Sequence, residues 1–272
     1  MRAVLFAILL LGVFSAARCA EGARSTAPLV QPVPRPAHLP DGEPNWTGFW
    51  TPIGGLLDKN FGPGATIPPV DPNAAGSQEG IPPHAALKSP YKERYERQLE
   101  AAREGKVLSD PPARCLPPGM PEMMVGVYGL EILQTAGQVT ITSEWGPESR
   151  RIWTDGRKHP DPDDILPSYG GHSIGYWEGD VLIADTAYVR ADVRLDESGL
   201  PHSANMRLKE RFHSPKPGIL VDEITIDDPM AYIAPWTITK RYRYRPELNL
   251  EEYVCEENNR NVGPNGEPVF KK

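Results

Sequence analysis

The sequence predicts a mainly β fold, an antiparallel meander that closes into a barrel or, as the alternative, folds into a sandwich. A proline-rich arm and one helix precede it. Three observations carry this expectation. Of 31 prolines in 272 residues, nineteen fall at or before Pro121, so the packed domain comes from roughly the last 150 residues, an ordinary domain size. Beyond Cys115 the apolar period changes from 3.6 to 2, and short β-rich runs alternate with turn residues at about ten-residue spacing. There is no βαβ alternation, which leaves all-β closure as the way to bury these runs.

In chain order, Met1-Arg2 followed by the apolar stretch from Ala3 to Phe14 has the form of a signal peptide over residues 1–17. Ser15-Ala16-Ala17 favours cleavage after Ala17, with Ala20-Glu21-Gly22 as the second site, and Arg18 before Cys19 argues against a lipid anchor. No later run approaches the roughly 18 apolar residues of a membrane span, so the mature chain is not expected to insert stably in a membrane. Residues 18–44 read as a proline-rich arm. Asn45-Trp46-Thr47-Gly48-Phe49-Trp50 places three large aromatics together and reads as the first core strand within a 45–121 region that is otherwise a Gly/Pro-rich loop and one helix. Ser89-Pro90 gives a helix start with an N-cap serine, Tyr91, Tyr95, Leu99 and Ala102 recur at helical spacing, and Gly105 ends the run. The β domain then occupies 122–272, with strands expected near 130–135, 138–145, 150–154, 172–177, 181–189, 206–213, 219–226, 236–244 and 250–255.

A net charge of −7 without a long basic run removes the electrostatic footprint of nucleic-acid binding. With Cys19 beside the cleavage region, Cys115 and Cys255 form an even pair that reads as a disulfide in an oxidising compartment. A nucleophilic thiol is the other reading. Zinc spacings, a phosphate-cradling glycine loop and a Gly-x-Ser-x-Gly elbow are all missing, and neither a cofactor nor a metal is predicted, although a histidine pair with carboxylates on separate strands can still bind a metal.

The segments Cys115-Leu-Pro-Pro-Gly-Met-Pro121, Gly171-His-Ser-Ile-Gly-Tyr-Trp-Glu-Gly-Asp180, Pro201-His-Ser203 and Glu252-Tyr-Val-Cys-Glu-Glu-Asn-Asn-Arg260 together resemble a family of exported bacterial proteins without an established activity. This resemblance spans about the whole mature chain and implies a periplasmic or secreted protein. The Trp-Glu-Gly-Asp hairpin is also similar to turns in calycin-type, lipocalin-like barrels, which implies fold alone.

Strand parity nominates polar residues. Taking Glu178-Gly179 as a two-residue loop, Tyr176 opposes Val181, Ile174 opposes Ile183 and His172 opposes Asp185 on one largely apolar face, expected to point inward. A three-residue loop would set His172 against Thr186 instead. Met206, Leu208, Glu210 and Phe212 share a face, on which Glu210 has to be paired, protonated or wet. Trp236, Ile238, Tyr242 and Tyr244 share a face with Lys240 and offer aromatic lining with hydroxyl groups. His202, in the loop Gly199-Leu-Pro-His-Ser203, can reach a barrel mouth or be an ordinary surface histidine.

These residues predict a barrel that binds, and in the enzymatic reading transforms, a small apolar or aromatic molecule by cofactor-free acid–base chemistry of the lyase, isomerase or hydrolase type. His172 is then the proton carrier, oriented by Asp185, with Glu210 as complementary acid and His202 nearby; Tyr176, Trp236, Tyr242 and Tyr244 line the ligand. A non-catalytic carrier and a structural envelope protein remain as alternatives, and the same polar residues can equally be satisfied structural pairs.

Overall fold

Nine strands close a barrel in sequence order. They are β1 (Gly48–Pro52), β2 (Leu130–Thr135), β3 (Gln138–Ser143), β4 (Ser149–Trp153), β5 (His172–Glu178), β6 (Val181–Ala187), β7 (Arg207–Lys216), β8 (Ile219–Asp227) and β9 (Trp236–Tyr244). The computed structural model describes residues 37–53, 87–104, 106, 114–146, 148–196 and 198–255. The expected signal peptide, Cys19, most of the arm, the loop from Gly54 to Pro83, Gly105 and the residues after Cys255 lie outside the described residues. Among those described, no helix is long and apolar enough to cross a membrane.

Neighbouring strands are antiparallel except β4 and β5, which pair in parallel through Ile152↔Ser173 and Trp153↔Ile174. The expected meander therefore contains one parallel step, for which the connection 154–171 carries the chain back along the barrel. A strand expected at 250–255 is not formed. Its place is taken, since β9 already pairs with β1 through Trp50↔Tyr244 and Pro52↔Tyr242 and closure leaves no edge.

Alternation determines what fills the barrel. On β8 the inward set is Leu220, Asp222, Ile224 and Ile226; on β7 it is Leu208, Glu210 and Phe212; on β3, Val139 and Ile141, all buried. Each large aliphatic in this set contributes about 1.5–3 kcal/mol by leaving water. Trp46 closes one mouth, packing on Trp177 at 4.9 Å and Phe212 at 6.4 Å, while its backbone N–H donates to Gln134.

The other mouth is covered by the β6–β7 and β8–β9 connections and by two helices. Helix α1 (Tyr91–Arg103) buries Tyr95, Leu99 and Ala101, and Tyr95 reaches Ser198 of the β6–β7 connection at 2.8 Å. The expected contact at Ala102 falls instead on Ala101. Ser89 does not cap this helix: its hydroxyl donates to the Glu93 carboxylate at 2.8 Å, and Pro90 occupies the cap position. Helix α2 (Glu122–Val125), a single turn without a period to reveal it, is buried throughout. Glu122 there pairs with Arg194 at 2.8 Å.

Cys115 and Cys255 are bonded, with Cα atoms 5.5 Å apart across a sequence separation of 140. The bond fastens the segment leading into α2 to the chain that follows β9.

Candidate functional site

The β5–β6 hairpin turns at Gly179-Asp180, so Glu178 faces Val181, Ile174 faces Asp185 and His172 faces Ala187. Gly179 adopts φ 58°, the positive value required at the first position of this kind of two-residue loop and readily accepted by glycine. The register thus lies two residues from the expected one. A shift of two preserves parity, so His172 and Asp185 share a face, as diagonal rather than direct neighbours.

That face points outward, correcting the expectation that it lines the core. Inside the barrel are Ser173, Gly175, Trp177, Leu182, Ala184 and Thr186, whereas Tyr176 lies on the outer face and is 55% exposed. Counting apolar residues misassigned the faces because this part of the interior needs small side chains. A Cβ at Gly175 would stand 2.8 Å from Ile152 Cγ2, and Ser173 and Thr186 leave room for an arginine.

On the outer wall the 154–171 connection folds back over β5 and β6 and brings in His159, which the sequence reading did not single out. Its Nδ1 lies 2.9 Å from Nδ1 of His172, and its Nε2 lies 3.5 Å from Oδ1 of Asp185. The other oxygen of Asp185 accepts from Arg207 at 3.2 Å. Tyr188 presents its ring to His159 at 6.0 Å and donates its hydroxyl to the Pro160 carbonyl at 2.7 Å. Tyr188 also holds φ 60°, a left-handed conformation that costs a non-glycine residue about 1–3 kcal/mol and recurs at functional sites.

Burial pushes both imidazoles below the ordinary histidine range. For His159 the Arg207 cation adds to this against the opposing Asp185 carboxylate; for His172 the neighbouring imidazole and Arg157 add to it. Both rings are therefore neutral at pH 7. Asp185 sits against Nε2 of His159, on the far side of the ring from the Nδ1 that faces His172, so the three groups do not converge on one point. Among the described residues no group of three or more His, Cys, Asp or Glu side chains is placed to hold a metal ion.

Glu210 lies inside the barrel, on the opposite side of the wall from His172, and cannot act as its complementary acid. It is bound in a two-pronged ion pair to Arg150, Nη1 to Oε1 at 2.7 Å and Nη2 to Oε2. Arg150 also donates to Ser173 at 3.1 Å and Thr186 at 2.9 Å. With side chains 1% and 0% exposed, the pair survives because its hydrogen bonds replace the lost water.

Asp222, on the neighbouring strand β8, is 0% exposed and neither carboxylate oxygen has a hydrogen-bond partner among the described residues. Burial, reinforced by Glu210, raises its carboxyl well above the usual range and so favours its protonated form. On β9, Trp236 and Tyr242 are buried, Tyr244 is half-buried against Trp50, and Lys240 shares their inner face.

His202 is 0% exposed rather than a surface histidine. Nδ1 lies 2.7 Å from the Ser203 carbonyl, which makes it the N–H and leaves Nε2 as a buried acceptor without a partner. Burial depresses its basicity, partly opposed by that hydrogen bond and by Asp228. Asp228 itself accepts from the Ser203 hydroxyl and backbone, pinning the two mouth connections together. His202 and His172 thus belong to different sites.

Neither a known protein-family model nor a curated protein matches the chain.

Proposed function

We propose that the outer-wall cluster is an acid–base site at which His172 moves a proton on a small apolar or aromatic molecule, without a cofactor. The observation that carries this reading is the succession His172–His159–Asp185, in which the two imidazoles are hydrogen-bonded and the carboxylate stands 3.5 Å behind Nε2 of His159 as a charge contact. The Asp185 carboxylate favours a proton on Nε2 of His159. Nδ1 of His159 is then an acceptor and requires the proton of the facing pair to sit on Nδ1 of His172. The remaining lone pair of His172 is on Nε2, which makes no hydrogen bond among the described residues. A proton taken there is stabilised through His159 by the negative charge behind it, the division of labour of an oriented histidine base.

Trp153, covered by Arg157 at 3.7 Å, and Tyr188 supply aromatic surface around the cluster. Export belongs to the same proposal and is supported by the Cys115–Cys255 bond, which suits an oxidising compartment.

The test is to incubate the full chain with a small-molecule extract of a bacterial envelope and follow every species by mass spectrometry. The proposal expects at least one species consumed by the unaltered protein and spared by a folded His172→Gln variant. Either no species consumed or equal consumption by the variant would overturn it.

A further inference from the structure

Helix α2 lies against polar groups on the inner face of β8 and β9. Two donors on that face are engaged by main-chain oxygens of that single turn: the Tyr242 hydroxyl donates to the Met124 carbonyl, and Lys240 Nζ donates to the Val125 carbonyl at 2.8 Å. Asp222 stands directly opposite Lys240 in the ladder, with Leu220 opposite Tyr242. In its protonated form the Asp222 carboxyl is a third donor, fully buried on the same inner face, with no acceptor among the described residues. Leaving such a group unsatisfied costs about 1–3 kcal/mol, a standing cost that a purely structural core removes by placing an apolar residue there.

The turn itself fits a displaceable occupant. Met123 and Met124 belong to it and Met120 precedes it, all buried, and methionine repacks around different shapes more readily than branched side chains do. Gly119, at φ 74°, and Gly126 bracket the turn, and residues of this kind absorb the backbone change when a short segment moves.

We propose that the barrel interior beneath α2 is a binding site for a small apolar monocarboxylate, whose carboxylate takes over the hydrogen bonds that Tyr242 and Lys240 give to Met124 and Val125 and also accepts from Asp222. The apolar body occupies the volume of the Met123–Val125 side chains. Three donor groups on the inner face of the two paired strands select an acceptor-rich headgroup, and the buried Ile224, Ile238 and Leu220 of the same face select an apolar tail. This site is separate from the outer-wall histidines, and its occupation does not depend on the acid–base reading.

Octanoate and 2-naphthoate are the probes, titrated into the isotope-labelled full chain while backbone amide resonances are followed. The expected result is saturable shifts at Met124, Val125 and Gly126, with octanol and octylamine producing none. Asp222→Leu removes the one headgroup hydrogen bond that has no counterpart in the unliganded protein and weakens binding about tenfold, Met124→Ala vacates part of the site and strengthens it, and His172→Ala leaves it unchanged. The map on the unaltered protein does not depend on any variant folding. Absence of saturable shifts at both probes, shifts confined to residues outside α2, β8 and β9, or equal binding of octanol would each overturn the proposal.

Discussion

Because both imidazoles of the outer-wall pair lie below the ordinary histidine value of 6.5, the neutral, base-competent form of His172 predominates throughout the neutral range. Any rate that depends on it is flat above pH 6.5 and falls as acid is added, with its midpoint below 6.5. Asp185→Asn removes the carboxylate that fixes both tautomers and is expected to lower that rate about tenfold or more without moving the fold; a pH–rate profile of the two proteins checks both statements. Stability carries the same sign, because depressed histidines in the folded state leave the unfolded chain binding protons first on acidification.

Asp222 carries the opposite sign. Its folded pKa is raised above the ordinary 3.8, so the associated stability is fully present below 3.8 and is lost as pH rises through the folded value. Asp222→Asn cannot ionise. Its thermal midpoint, measured relative to the unaltered protein, is therefore expected to increase from pH 4 to pH 8, whereas a constant difference would mean that Asp222 has the same pKa in the folded and unfolded chain.

At the scale of strands, β4 and β7 are joined across the interior by Arg150 and Glu210 rather than by backbone pairing. Glu210→Ala leaves a guanidinium buried and uncompensated, for which about 3–5 kcal/mol of destabilisation is expected. Replacing both residues together, as Arg150→Met with Glu210→Leu, should restore most of that loss, since well-packed apolar residues often match a buried ion pair. Chemical denaturation of the single and double variants separates the cost of a stranded charge from the worth of the pair.

The same strands show what could be read in advance. Period-2 runs placed β2 at 130–135 and β9 at 236–244 where they occur, and parity put Glu210 on an inner face and Lys240 with Tyr242. Extending that parity to Leu220, Asp222, Ile224 and Ile226 would have found Asp222. Nothing in strand parity could find His159, because it reaches His172 through a parallel step whose connection has no period. Inward and outward were also exchanged on β5 and β6, where Ser173, Gly175 and Thr186 are small to admit Arg150, a requirement set by a residue on another strand.

The whole molecule is held by one covalent link between distant parts of the chain. Cys115 leads through Pro118 and Met120 into α2, the turn that closes the barrel, and Cys255 follows the last strand. Their bond spans a separation of 140 residues, which includes β2 through β9, so the unfolded chain with the bond intact is confined over more than half its length. Chain entropy alone assigns such a loop about 5 kcal/mol at room temperature. That is comparable to the entire stability of many domains. A Cys115→Ser, Cys255→Ser protein is therefore expected to lose several kcal/mol in urea denaturation. Residual compactness of the unfolded state makes the measured loss smaller than the entropy figure. The effect should also be local: once the link is cut, α2 keeps polar contacts such as Glu122–Arg194 and the Tyr242 and Lys240 hydrogen bonds but loses its covalent tie to the chain after β9. Amide exchange at Met123–Val125 should then accelerate more than exchange at Ile224 or Ile238. A uniform acceleration across all three segments would show instead that the bond stabilises the barrel as a whole and leaves α2 no looser than its surroundings.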